Sequence, residues 1–128
     1  MTLQPASGAR DLNPQQVRKN HLIASKLSSL YQLWGYERIS PPHIERLDTL
    51  TAAGGISNNE ILKIVSDEPL GLRPEITASI VRAASTRFNE YERPLRFWSA
   101  GTSFKCNQSI DGGIDMKESF QSGVELIG

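Results

Sequence analysis

The sequence predicts an α+β fold, a mostly antiparallel sheet flanked by helices. Apolar residues recur at helical spacing in two places, around residues 14–34 and 76–88. Near the end, residues 95–105 and 118–128 alternate apolar and polar side chains with the period of half-buried strands. Several connections are shorter than the dozen or more residues that a parallel crossover needs.

The first helix has a clear start. Asn13 suits the N-cap, Pro14 the first helical position and Gln16 the third, where its side chain can reach back to the cap. Ile23, Leu27, Leu30 and Trp34 follow at spacings of four, three and four, and Gly35 supplies the stop. This apolar stripe can face the chain's own core or a second subunit. Residues 36–40 read as a short strand ended by Pro41-Pro42, which cannot continue a ladder.

Residues 43–60 are the least patterned stretch, and 51–59 within it have loop composition and no strong period. Residues 61–66 and 70–73 read as two strands joined by a turn that holds Pro69. Ile76, Ile80, Ala84 and Phe88 are four apart, which predicts a helix running to Phe88 with Arg82 and Arg87 toward solvent. A polar connector, 89–94, leads to the two alternating strands. Their link, 106–117, contains Asp111-Gly-Gly-Ile and is expected to be a mobile loop.

Composition excludes several function classes. At 128 residues the chain fits one domain with a sizeable core. Fourteen basic residues balance fourteen acidic ones, so no net charge draws the chain to nucleic acid. No transmembrane stretch or signal-like start is visible, and a cytoplasmic location is expected. Cys106 is the single cysteine, which excludes an internal disulfide and leaves a redox role without a resolving partner, although Lys105 beside it could favour a thiolate. His21 and His43 have no partner at metal-ligand spacing, and neither a phosphate-cradling Gly-rich motif nor a nucleophile elbow occurs. No cofactor is expected.

One polar pattern stands out. Gln121 and Glu125 are four apart in the last predicted strand, so both side chains fall on one face, and Gly123 between them leaves that face bare. Two polar groups flanking a bare patch make a plausible ligand floor. Spacing alone favours an ordinary strand with a solvated face and an incidental glycine.

The order of motifs tips that balance. Gly8-Ala-Arg-Asp11, Trp34-Gly-Tyr-Glu-Arg-Ile-Ser-Pro-Pro42, Leu72-Arg-Pro-Glu-Ile-Thr-Ala78, the strand around Phe104-Lys105 and Phe120-Gln-Ser-Gly-Val-Glu-Leu-Ile-Gly128 occur in one sequence. In this order they resemble the histidyl-tRNA synthetase-like branch of the class II aminoacyl-tRNA synthetases, over nearly the whole chain. Within that branch, Leu3-Gln-Pro-Ala-Ser-Gly-Ala-Arg-Asp-Leu12 and Asp67-Glu-Pro-Leu-Gly-Leu-Arg-Pro-Glu75 are most similar to the regulatory subunits of ATP phosphoribosyltransferase, a paralogue family of histidine biosynthesis.

The resemblance implies a class II synthetase-like fold in truncated form, with residues 1–128 the N-terminal part of a catalytic-type domain. It also implies that the first helix and strand serve a homodimer or higher oligomer. Glu75 and Thr77 match the residues that hold the α-amino end of histidine, and a carboxylate suits an ammonium because a charge-assisted hydrogen bond is about twice as strong as a neutral one. Gln121 would help orient the amino acid, and Glu125 would accept from the imidazole. Without the resemblance, Glu75 reads as an acid favoured at a helix N-terminus.

Departures from the synthetases matter equally. Lys105 stands where they carry an arginine that clamps the ATP α-phosphate and the substrate carboxylate. Lysine keeps the charge but loses the planar fork. Asn107 replaces the glutamate that helps hold adenine, and Cys106 stands where histidine is common. Amino-acid positions are retained while nucleotide positions are lost, the pattern of a histidine sensor. The implied role is a non-catalytic regulatory subunit that partners a short-form ATP phosphoribosyltransferase catalytic subunit and binds L-histidine, with Lys105 a weaker candidate for its carboxylate. A histidine–tRNA ligase is the alternative.

Overall fold

The computed structural model describes residues 3–52, 54–108 and 110–128. Helix α1 (Pro14–Leu33) opens on the predicted capping box: the Gln16 N–H donates to Asn13 Oδ1 at 2.8 Å, and the Asn13 N–H donates to Gln16 Oε1 at 2.9 Å. It closes at Trp34, and Gly35 takes the left-handed conformation, φ 81°.

A three-stranded sheet follows in the order β1-β4-β5, from β1 (Glu37–Arg38), β4 (Leu95–Gln108) and β5 (Ile114–Ile127). Strands β4 and β5 form a long antiparallel hairpin, paired from Leu95↔Ile127 to Gln108↔Ile114. The β1–β4 pair is parallel, possible because a long excursion separates the two strands. That excursion contains β2 (Ile44–Arg46), α2 (Leu47–Thr51), β3 (Leu70–Leu72) and α3 (Thr77–Ser85), with β2 and β3 paired antiparallel.

Helix α3 covers one face of the hairpin. Ile76, Ile80 and Ala84 pack with Leu95 and Phe97 into the buried core, and Ile39, Phe88 and Ile127 close its sides. Burying each large side chain contributes about 1.5–3 kcal/mol. The opposite face meets α1: Trp98 is buried with its ring 5.5 Å from that of Tyr31, and Ser122 Oγ donates to Tyr31 Oη at 3.1 Å. The N-terminal segment also lies on the hairpin, with Gly8 against the Met116 carbonyl.

Several elements depart from the sequence expectations. The link 106–117 is not a free loop. Pairing runs to Gln108 and resumes at Ile114, because the period-two ladder continues through polar as well as apolar residues; Gly112, φ 81°, serves the turn, and Ser109 lies outside the described residues. Residues 61–66 contribute a single bridge, Lys63↔Gly71, flanked by Ile64 N–H to Leu70 O and Leu72 N–H to Leu62 O, rather than a strand. The second predicted strand ends at Leu72, which frees Arg73 for other partners.

Residues 43–60, the least patterned stretch of the sequence, hold β2, α2 and a 3-10 turn at Asn58–Glu60. Helix α3 stops at Ser85, and Phe88 folds back from the following turn onto Phe97, ring centroids 5.1 Å apart. Arg82 is no free surface residue: its Nε lies 3.0 Å from the carboxylate of buried Glu45. Arg87 is exposed, as expected.

Candidate functional site

Residues opposite one another in an antiparallel pair share a face. Gln121 is opposite Gly101, Gly123 opposite Ser99, and Glu125 opposite Phe97. Phe97 belongs to the core under α3, so all three β5 residues lie on the α3 side of the hairpin. Gln121 and Glu125 are half-buried, and a β-carbon on Gly123 would meet nothing within 4 Å. The open floor between two polar side chains is thus present.

Helix α3 runs along this face in a definite direction. Its leading segment is tied to the sheet where the Phe104 N–H donates to the Arg73 carbonyl at 2.9 Å, and beyond its far end Phe88 rests on Phe97. Glu75 and Thr77 therefore enter at the Phe104 end and the helix proceeds toward the Glu125 row. Glu75 is half-buried and precedes the N-cap, Ile76, so it is not an acid of the first helical turn; Thr77 is the first helical residue and is exposed.

Lys105 shares the Gln121 face but lies further out, exposed and opposite Lys117. Four residues separate the Lys117 row from Gln121, about 13 Å along the strand. The sequence reading missed Lys117, which only the register brings beside Lys105. Asn107 is exposed opposite Asp115. Cys106 is buried, which removes it from solvent as a reactive thiol.

Arg73 was also missed. It is 2% exposed. Its Nε donates to Thr102 O at 2.9 Å, and its Nη1 to Pro41 O at 3.1 Å and to Pro42 O at 3.4 Å. Its own N–H donates to His43 O at 2.9 Å. A β-carbon on Gly101 would collide with Arg73 Nη2, so the bare glycine admits the guanidinium. Burial pushes the Arg73 pKa below its ordinary value, and the Glu45 charge pulls it partly back. The available signal was an arginine between a strand and a Pro-Glu pair, with a glycine later in a strand otherwise able to pack.

Two clefts open elsewhere among the described residues. One, of about 910 Å³, lies between the β1–β2 segment and α3 and includes Glu45, Arg82 and Phe97. The other, of about 960 Å³, lies between α1 and β5 and includes His21, Met116 and Phe120. Glu75, Thr77, Lys105, Gln121 and Glu125 line neither. Among the described residues no group of three His, Cys, Asp or Glu side chains could hold a metal, and no helix is long and apolar enough to cross a membrane.

The family model described as histidyl-tRNA synthetase matches residues 8–128. The chain belongs to the histidyl-tRNA synthetase family. Within that family it is 98% identical, over all 128 residues, to an ATP phosphoribosyltransferase regulatory subunit of Prochlorococcus marinus strain NATL1A, covering 33% of that protein. It is 58% identical over the same span to the protein of that name from Synechococcus sp. strain WH7803, again covering 33% of it. The chain thus spans about a third of the length of the curated relatives it matches.

Solved structures of the family share the fold. An ATP phosphoribosyltransferase regulatory subunit/histidyl-tRNA synthetase from Bacillus halodurans aligns over 100% of this chain and 33% of its own, with TM-score 0.87 and 27% identity. The histidyl-tRNA synthetase of Nostoc sp. PCC 7120 aligns over 99% of this chain and 29% of its own with TM-score 0.82 and 20% identity, a likeness of fold alone. The class II synthetase-like α+β architecture expected from the motifs is therefore the observed one.

Proposed function

We propose that this chain is part of a regulatory, non-catalytic subunit of ATP phosphoribosyltransferase, which supports the activity of a short-form catalytic subunit and takes part in feedback inhibition by histidine. The observation that carries this reading is 98% identity across every residue to a protein of that name. Lys105 and Asn107, in place of the synthetases' arginine and glutamate, support a protein that has given up adenylate chemistry. The chain would form the N-terminal part of a catalytic-type domain acting in the cytoplasm.

L-Histidine would lie over Gly123, its ammonium toward Glu75 and Thr77, its imidazole toward Glu125 and its backbone oriented by Gln121. The common face of Gln121 and Glu125 and the entry of α3 at its Phe104 end support this arrangement. Lys105 is the least favourably placed of the five, given its distance along the strand. Pairing a carboxylate with an imidazole N–H gives selectivity, because an apolar analogue would leave Glu125 unpaired. Histidine inhibits only if it binds the less active state of the assembly more tightly.

The exposed stripe of α1, with Ile23 49%, Leu30 48% and Trp34 69% accessible, supports a homodimer or higher oligomer through this helix. Calorimetry with histidine, beside histidine-dependent ATP–pyrophosphate exchange, tests the reading in the full-length protein. Binding without exchange is expected. Exchange would instead assign a histidine–tRNA ligase, with Lys105 doing the arginine's work.

A further inference from the structure

We infer that Arg73 is a positioning residue of the histidine site, setting the Gln121 row of the hairpin against the segment that carries Glu75 and Thr77. The inference rests on the histidine reading above. Gln121 and Gly101 are direct cross-strand partners, and side-chain positions in such a pair are about 4.5–5.5 Å apart. Gly101 leaves its own position empty, and Arg73 Nη2 occupies it. The guanidinium therefore stands beside Gln121 on the ligand face, where a larger residue at 101 would exclude it.

Arg73 also fixes the other half of the site. Two residues before Glu75, its backbone is clamped on both sides: its N–H donates to His43 O and its carbonyl accepts from the Phe104 N–H, each at 2.9 Å. Its side chain reaches the Thr102 carbonyl on β4 and the Pro41 and Pro42 carbonyls beyond β1. One residue thus ties three chain segments and both walls of the floor. All the side-chain partners named are carbonyl oxygens in different directions, which suits a rigid fork of donors and not a single ammonium.

A purely structural arginine would alter stability without regard to which ligand contact is present. A positioning residue acts through the particular contacts it sets, so removing one of them removes part of its effect. The test is a double-mutant cycle on the full-length protein, read as histidine affinity by calorimetry with thermal unfolding measured in parallel. Arg73→Lys and, independently, Gly101→Ala, which displaces the guanidinium and leaves Arg73 in place, should each weaken histidine about tenfold. In a Gln121→Ala background either change should add clearly less than tenfold, the remainder passing through the Glu75 and Thr77 segment, whereas in a Glu125→Ala background the tenfold loss should persist.

Folded variants that bind histidine as the unsubstituted protein does would overturn the inference. So would losses that add in full in the Gln121→Ala background. Failure of the unsubstituted protein to bind histidine would overturn the histidine reading itself, and this inference with it, a result separable from the others because no variant is needed to see it.

Discussion

Lys105 stands directly opposite Lys117 on one face of the β4–β5 hairpin. Like charges directly across a ladder destabilise it, and both side chains are exposed. Lys117→Glu should therefore raise Tm slightly at low ionic strength, and the gain should vanish in high salt as screening removes it. A gain that survives high salt would locate its cause elsewhere.

The Arg82–Glu45 pair fastens α3 to β2. The Glu45 side chain is 5% exposed and that of Arg82 31%, at 3.0 Å. Arg82→Ala leaves a buried carboxylate without its partner and should cost about 3 kcal/mol in denaturant unfolding. Glu45→Gln, which removes the charge and keeps the shape, should cost clearly less. Equal losses would contradict a charge-based account.

Gly8 holds the N-terminal segment onto β5. With φ 87° and the Met116 carbonyl occupying the place of a side chain, it has no room for a β-carbon. Gly8→Ala should lower stability by more than about 1 kcal/mol, since the native conformation is incompatible with the new residue. An unchanged Tm would mean that the segment does not dock.

Glu125→Ala should weaken histidine binding at least tenfold, about 1.4 kcal/mol. Calorimetry on the full-length protein decides it, and unchanged affinity removes Glu125 from the site.

The sequence made the local signals legible. The capping box of Asn13 and Gln16, the stop at Gly35 and the face shared by Gln121 and Glu125 depend on neighbours a few residues away, and all three stand in the structure. Contacts that depend on distant partners did not show. Arg82 has a surface position in its helix, and only the arrival of β2 supplies Glu45. Arg73 and Gly101 are 28 residues apart, and neither alone announces the other. The hairpin between Cys106 and Lys117 was hidden because most of its residues are polar or glycine and carry a loop's composition, while backbone pairing holds 106–108 and 114–117 extended.

The most direct test of the regulatory reading is the activity of a short-form ATP phosphoribosyltransferase catalytic subunit, with and without the full-length protein that contains this chain, across a histidine titration. Activation by the added protein and its reversal by histidine are expected. A catalytic subunit equally active in its presence and absence, at every histidine concentration, would contradict it.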